Sequence, residues 1–174
     1  QSHEYSGPVA RAAKQFQFSY QCPPIGLIPP QAQASLTGPY KSLRNSSGKV
    51  AIVVHINQGN AATVTLTPLQ AQNSAGLGSK AVGTNASPPI FYNAATTVSD
   101  TLVAQPAANS FTTDATVADK IVVFEFDPAD ALDLNNGFNH IALQMNAGNA
   151  ANIVEAHMEY LGRFQQQVPP ASEV

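Results

Sequence analysis

Val50 to Ile56 (VAIVVHI) is almost wholly apolar, and Thr63 to Gln70 (TVTLTPLQ) sets Val64, Leu66 and Pro68 against Thr63, Thr65 and Thr67. A run of the first kind suits a buried strand, and period-two alternation suits a strand with one face in a core. The same grammar continues through PIFYN (89–93), TLVA (101–104), SFTTD (110–114), KIVVFEF (120–126), FNHIALQM (138–145) and NIVEAHMEYLGRF (152–164). Strand character is weak around Lys80-Ala81-Val82, inside a Gly/Ser/Asn-rich stretch over 73–89. About eight short strands separated by turn signals predict an all-β fold, an antiparallel sandwich or jelly roll.

One helical turn interrupts the strands. In DPADALDLNNG (127–137) Asp127 can cap an N-terminus and Pro128 suits the first helical position. Asn136-Gly137 supplies a left-handed stop. The turn is expected near 127–136.

The first 36 residues read differently. Phe16, Phe18 and Tyr20 share one side of an extended FQFSY segment, and CPPIGLIPP follows with paired prolines around an apolar piece. Proline fixes φ and lacks a donor, so this stretch predicts polyproline or turn conformation outside a sheet. The expected organisation is an extended arm over 1–36, a β domain over 37–165 and a tail over 166–174. The arm either lies on its own domain or docks on a neighbouring subunit by strand addition. Its candidate contact residues are Phe16, Phe18, Tyr20, Ile25, Leu27 and Ile28.

A second feature is a repeated corner. Asn57-Gln58-Gly59-Asn60-Ala61-Ala62 recurs as Asn146-Ala147-Gly148-Asn149-Ala150-Ala151, each copy between two strands. Asn and Gly tolerate positive φ in a tight reversal, and the alanines let the chain re-enter a packed layer. Two equivalent corners of a pseudo-symmetric sandwich are expected, with an architectural role.

Composition narrows the function. Charged residues make up 11% of 174 residues, against about 25% in an average domain. The deficit is filled by neutral polar and small residues, a surface suited to packing against other protein. The net charge is −3 and the eight Lys and Arg are scattered, so neither nucleic acid nor an anionic membrane is an expected partner. Cys22 is the only cysteine, which excludes an internal disulfide and a cysteine-rich metal site. The opening QSHEYSGPVARAAKQ has no apolar run like that of a signal peptide.

Candidate chemistry is sparse. With Val154, Ala156, Met158 and Tyr160 inward, Glu155, His157 and Glu159 face outward, where a His-x-Glu pair could bind metal. His140 and Gln144 share another strand face. No full ligand set has diagnostic spacing, and a solvated face with cross-strand polar pairs explains these residues. Asp127, Asp130 and Asp133 stand three apart, unlike a calcium loop. Glu125 and Asp127 could sit at a glycosidase separation, as any acidic i, i+2 pair could. No nucleophile elbow, phosphate loop or zincin motif occurs, and no cofactor is expected.

The order GKVAIVVHINQGNAATVTLTPLQ, then SFTTDATVADKIVVFEFDPADALDLNNGFNHIALQMNAGNAANIVEAHMEYL, resembles head decoration (cement) proteins of tailed bacteriophages over residues 48 to 164. That resemblance implies a β-sandwich or jelly roll without catalytic residues. It implies a place on the capsid exterior, with the major capsid protein and further copies of itself, plausibly a trimer, as partners. A receptor- or glycan-binding module of a tail fibre or tail tip is the alternative class. A wall-polymer hydrolase using Glu125, Asp127 or Glu155 is the third.

Overall fold

The structure is a computed structural model that describes residues 18–163. A helical turn α1 (Phe18–Gln21) precedes twelve strands: β1 (Ile25–Ala32), β2 (Leu36–Thr37), β3 (Lys41–Ser42), β4 (Ser46–Gln58), β5 (Thr65–Ala71), β6 (Lys80–Ala81), β7 (Ile90–Asn93), β8 (Val103–Gln105), β9 (Phe111–Thr112), β10 (Ala118–Phe126), β11 (His140–Met145) and β12 (Asn152–Gly162). A second turn, α2 (Pro128–Ala131), lies between β10 and β11.

The strands form two antiparallel sheets. The first runs β1-β12-β4-β10-β7-β8, and the second runs β2-β11-β5-β6, with β3 also on β11 and β9 on β5. Alternation along each long strand decides what faces the other sheet. Val50, Ile52, Val54 and Ile56 of β4, Val122, Phe124 and Phe126 of β10, and Val154, Ala156 and Met158 of β12 meet Leu66, Ile141, Leu143 and Met145 of the second sheet in one core. The expected all-β sandwich is therefore the fold. The strands outside the predicted segments are β1, β2 and β3; β2 and β3 are each two residues long and too short to leave a periodic trace.

The N-terminal part departs from expectation. FQFSY was expected to be extended, yet Phe18–Gln21 is a helical turn closed by Cys22 N–H donating to the Phe18 carbonyl at 2.7 Å. Pro23 and Pro24 then stop it, because a residue before proline is pushed out of the helical region. Nor is IGLIPP outside a sheet. It forms β1, the edge of the first sheet against β12, with breaks in register between Gly26 and Ile28 and between Ile28 and Gln31. An edge strand with irregular pairing is where a sheet tolerates proline. The change from arm to domain therefore does not fall at residue 36, since β1 lies wholly before it.

The 127–136 region matches its pattern and is split in two. Asp127 Oδ1 accepts from Ala129 N–H at 2.9 Å, Pro128 opens α2, and a 3-10 turn over Leu134–Asn136 ends on Gly137 at φ 81°.

Candidate functional site

Both repeated corners are crossovers between the sheets. The first carries β4 to β5, from the first sheet to the second, and the other carries β11 to β12 back again. Because β4 pairs with β12 and β5 with β11, the corners lie side by side at one end of the sandwich. They share the same local device: Asn60 Oδ1 accepts from Ala62 N–H and Asn149 Oδ1 accepts from Ala151 N–H, each at 2.9 Å. The glycines, however, are not there for positive φ, which among the described residues occurs only at Gly76, Gly78, Gly83 and Gly137. They are there for closeness. A Cβ on Gly59 would lie 2.5 Å from the Ala151 carbonyl oxygen, and one on Gly148 would overlap the Gln33 carboxamide.

Gln33 is the key between the corners. Its Nε2 donates to Asn146 Oδ1 at 2.9 Å and to the Thr63 carbonyl at 3.0 Å, while its Oε1 accepts from Asn152 Nδ2 at 2.8 Å. Asn152 also donates to the Ala62 carbonyl and accepts from Asn60 N–H, both at 2.8 Å. This fully bonded amide cluster seals the core end and offers no reactive group.

Next to it lies a buried cation. Lys120 points inward from β10 with its side chain 0% exposed. Its Nζ reaches the Asp114 carbonyl at 2.8 Å, Asp114 Oδ1 at 3.1 Å and Gln58 Oε1 at 3.1 Å. Tyr92 donates its hydroxyl to Asp114 Oδ2 at 2.8 Å. Burial alone would raise the Asp114 carboxyl, but hydrogen bonds from Tyr92, Thr116 and Lys120 outweigh it and hold the group well below the usual carboxylate range. Burial, reinforced by the hydrogen bond to Asp114 and its charge, pushes the Tyr92 phenol up. Every partner in this network is satisfied within the protein, so it ties the 113–116 segment to the sandwich and holds no poised acid or base.

The outward face of the first sheet carries the residues weighed for metal or hydrolysis. His157 Nδ1 lies 3.1 Å from Glu155 Oε1 and His157 Nε2 lies 3.4 Å from Glu159 Oε1, with His55 directly across from Glu155. These are partly exposed side-chain contacts along a strand, and no group of three metal-ligating side chains converges among the described residues. The three aspartates do not converge either. Asp127 caps α2, the Asp130 carbonyl receives Asn85 and Ala86 N–H, and Asp133 pairs with Lys80 at 2.6 Å. Lys80 and Asn136 together lower the Asp133 carboxyl. Glu125 is half-buried on the outer face of β10, while Asp127 is exposed and spent on its cap.

The six residues named for an N-terminal contact separate. Leu27 and Ile28 are 1% exposed in the domain's own core, and Ile25 packs against that core. Leu27 and Ile28 are therefore not surface available to a partner, whereas Ile25 stays partly exposed. Phe18 is 63% exposed, Tyr20 lies in α1, and Phe16 is outside the described residues.

The surface that sequence reasoning missed lies on the β7–β8 side. Val98 is 86% exposed, Val103 and Val117 57% each, and Leu102 44%. Val98 and Val103 line one shallow cleft of about 370 Å³ with Tyr92, Ala94, Ala95 and Gln105, and none of its lining residues is charged. The loop is anchored near Val117 by Thr96 N–H donating to the Asp119 carbonyl at 2.8 Å. From Ala81 to Thr113 the chain carries a single charged residue, Asp100. That gap was visible in the sequence and is the signal that would have found this flank. A larger cleft of about 710 Å³ lies elsewhere, lined by Arg44, Ser46, Asp127, Asn139 and Arg163 among others.

No family model, no curated protein and no solved structure matches this chain.

Proposed function

We propose that the protein is a structural component of a bacteriophage virion that binds the outside of the capsid shell and stabilises it, with no catalytic role. The supporting observation is the β7–β8 flank, where large apolar side chains stand exposed on a stretch almost free of charge. Contiguous exposed apolar surface marks a place where protein meets protein. A rigid sandwich with a bonded polar seal suits such a task, because a component that binds only the assembled shell stabilises it by mass action. In a decoration layer each copy meets both the shell and neighbouring copies, and the flank serves that layer.

The test is co-sedimentation with empty capsid shells. Wild-type protein is expected to pellet with shells and to raise their resistance to heat. A Val98→Asp/Val103→Asp variant that keeps its fold is expected to bind at least roughly tenfold more weakly. Wild-type protein that remains in the supernatant contradicts the proposal.

A second reading is favoured by one observation. The 710 Å³ cleft sets two arginines and an aspartate beside the polar Ser46, Ser47 and Asn139 and the apolar Leu43, Pro128 and Leu134, a mixed lining that suits a receptor or glycan. Binding to immobilised host-surface glycans that is lost in Arg44→Ala, without any shell binding, would establish this reading instead.

A further inference from the structure

We infer that the 710 Å³ cleft binds a saccharide bearing a carboxylate, with Arg44 and Arg163 holding the anionic group. This rests on the glycan reading of that cleft and names the class of sugar. It is independent of any role on a shell. Three observations carry it.

First, one turn brings two sequence-distant cations together. Arg44 and Arg163 are the only arginines among the described residues, and both line the cleft. Ser46 N–H donates to the Leu43 carbonyl at 3.0 Å and closes a turn with Arg44 inside it. Two carbonyls of the same turn fix Arg163. Asn45 accepts from its backbone N–H and Ser46 from its Nε–H, each at 2.8 Å. With Nε spent on a carbonyl, the guanidinium plane is set and its two Nη groups are left for an oxyanion.

Second, this positive charge is uncompensated. Lys80 and Lys120 each pair with an aspartate, at 2.6 and 3.1 Å, whereas no carboxylate among the described residues pairs with Arg44 or Arg163. Asp127 is the single acid in the lining, and its Oδ1 accepts from Ala129 N–H at 2.9 Å. The cleft therefore sets two positive charges against one negative, on a chain whose net charge is −3. A concave site of excess positive charge draws an anion to it.

Third, the rest of the lining decides which anion. No aromatic side chain among the described residues lines the cleft, so a neutral sugar finds no flat ring to lie on and charge must supply the hold. Ser47 Oγ donates to the Leu161 carbonyl at 2.9 Å and keeps lone pairs that can accept a sugar hydroxyl. Asn139 Oδ1 meets His140 Nδ1 at 2.6 Å, which leaves the Asn139 amide to donate. Pro128 and Leu134, the latter 46% exposed, add an apolar wall that a bare inorganic oxyanion would not use but the C–H face of a sugar ring would. The volume falls within the range of about 300–1,000 Å³ typical of small-ligand sites, which suits a short saccharide rather than a peptide laid along a groove.

The experiment is a proton–nitrogen NMR titration of the full chain. The carboxylated probes are trigalacturonate and sialyllactose, and their neutral counterparts are methyl-esterified trigalacturonate and lactose. Inorganic phosphate and a Glu-rich peptide complete the set. A carboxylated sugar is expected to shift the amides around Arg44, Ser47 and Arg163, and every other probe to bind at least roughly tenfold more weakly. Arg44→Ala and Arg163→Ala, each checked for an unchanged melting temperature, are expected to weaken that binding at least roughly tenfold. Lys41→Gln, which removes a cation outside the cleft lining, is expected to leave it unchanged. Raised salt is expected to weaken the carboxylated probe and not a neutral one. Neutral sugars that bind in the cleft as tightly as the carboxylated ones overturn this inference and leave the glycan reading standing. Arginine variants that keep full affinity, or phosphate or peptide binding as tight as that of the acidic sugars, overturn it as well. A cleft that no sugar perturbs overturns both.

Discussion

Asn152 Nδ2 donates to Gln33 Oε1 at 2.8 Å across 119 positions of the chain, joining the start of β12 to the segment after β1. Both residues are buried, and between them they bond atoms of both repeated corners. Asn152→Ala removes partners from Gln33 Oε1, the Ala62 carbonyl and Asn60 N–H together. Each buried group left unpaired costs about 1–3 kcal/mol. A loss of about 3 kcal/mol is expected from urea unfolding. Gln33→Ala should cost a similar amount, and the double variant clearly less than the sum, because the two share one network. Full additivity would show that the cluster is not one unit.

Gly148 is required by the Gln33 carboxamide rather than by its own backbone angles. Gly148→Ala is expected to destabilise by about 1–3 kcal/mol, the usual cost of overpacking. Gly26→Ala, where a Cβ meets nothing within 4 Å, is the matched control and should change stability by less than about 0.5 kcal/mol. Chemical denaturation of the two variants in parallel separates crowding from a general penalty on replacing glycine.

These two corners show how far the sequence could be read. Recurrence of Asn, Gly, Asn, Ala and Ala was enough to mark an equivalent pair, because the Asn60 and Asn149 turns are local. The reason for each glycine was not legible, since the crowding comes from Ala151 and Gln33, distant in sequence. The same divide runs through the fold. Long strands such as β4, β10 and β12 showed themselves by alternation, whereas β1 hid behind Pro29 and Pro30, which its edge position tolerates. Lys120 was unreadable as a buried residue, because its partners Asp114 and Gln58 come from another segment and another strand. The β7–β8 flank escaped because exposed apolar side chains leave no periodic pattern, and only the missing charges between Ala81 and Thr113 mark it.

Asp114 and Lys120 are an unequal pair, with side chains 45% and 0% exposed. Asp114→Ala leaves a buried ammonium without its counter-ion, and a loss of about 3 kcal/mol is expected. Lys120→Met replaces the cation with an apolar chain of similar length and leaves the carboxylate partly in water, so it should cost less. The pH dependence follows from the lowered Asp114 carboxyl. Its contribution is complete above about pH 4, the ordinary carboxylate value, and is lost as pH falls through the lower value of the folded state. Melting temperature should therefore fall less steeply with acid in Asp114→Asn than in the parent. Parallel acid profiles would refute this assignment.

Tyr160 is buried at 3% exposure, and its hydroxyl has no hydrogen-bond partner among the described residues. Burial raises this phenol above its ordinary value. Removing an unpaired buried hydroxyl removes a desolvation cost, so Tyr160→Phe is expected to be neutral or to stabilise by up to about 1 kcal/mol. A thermal melt that drops by several degrees would mean that the hydroxyl is bonded after all.

The central claim is that this molecule acts as a shape on the outside of a capsid, with its nearly uncharged flank buried against protein. An electron cryomicroscopy map of the decorated particle tests it most directly. The account expects density for the sandwich outside the shell, with the Val98–Val103 flank against a protein neighbour. Density confined to a tail tip, or a flank facing open solvent on the shell, would contradict it.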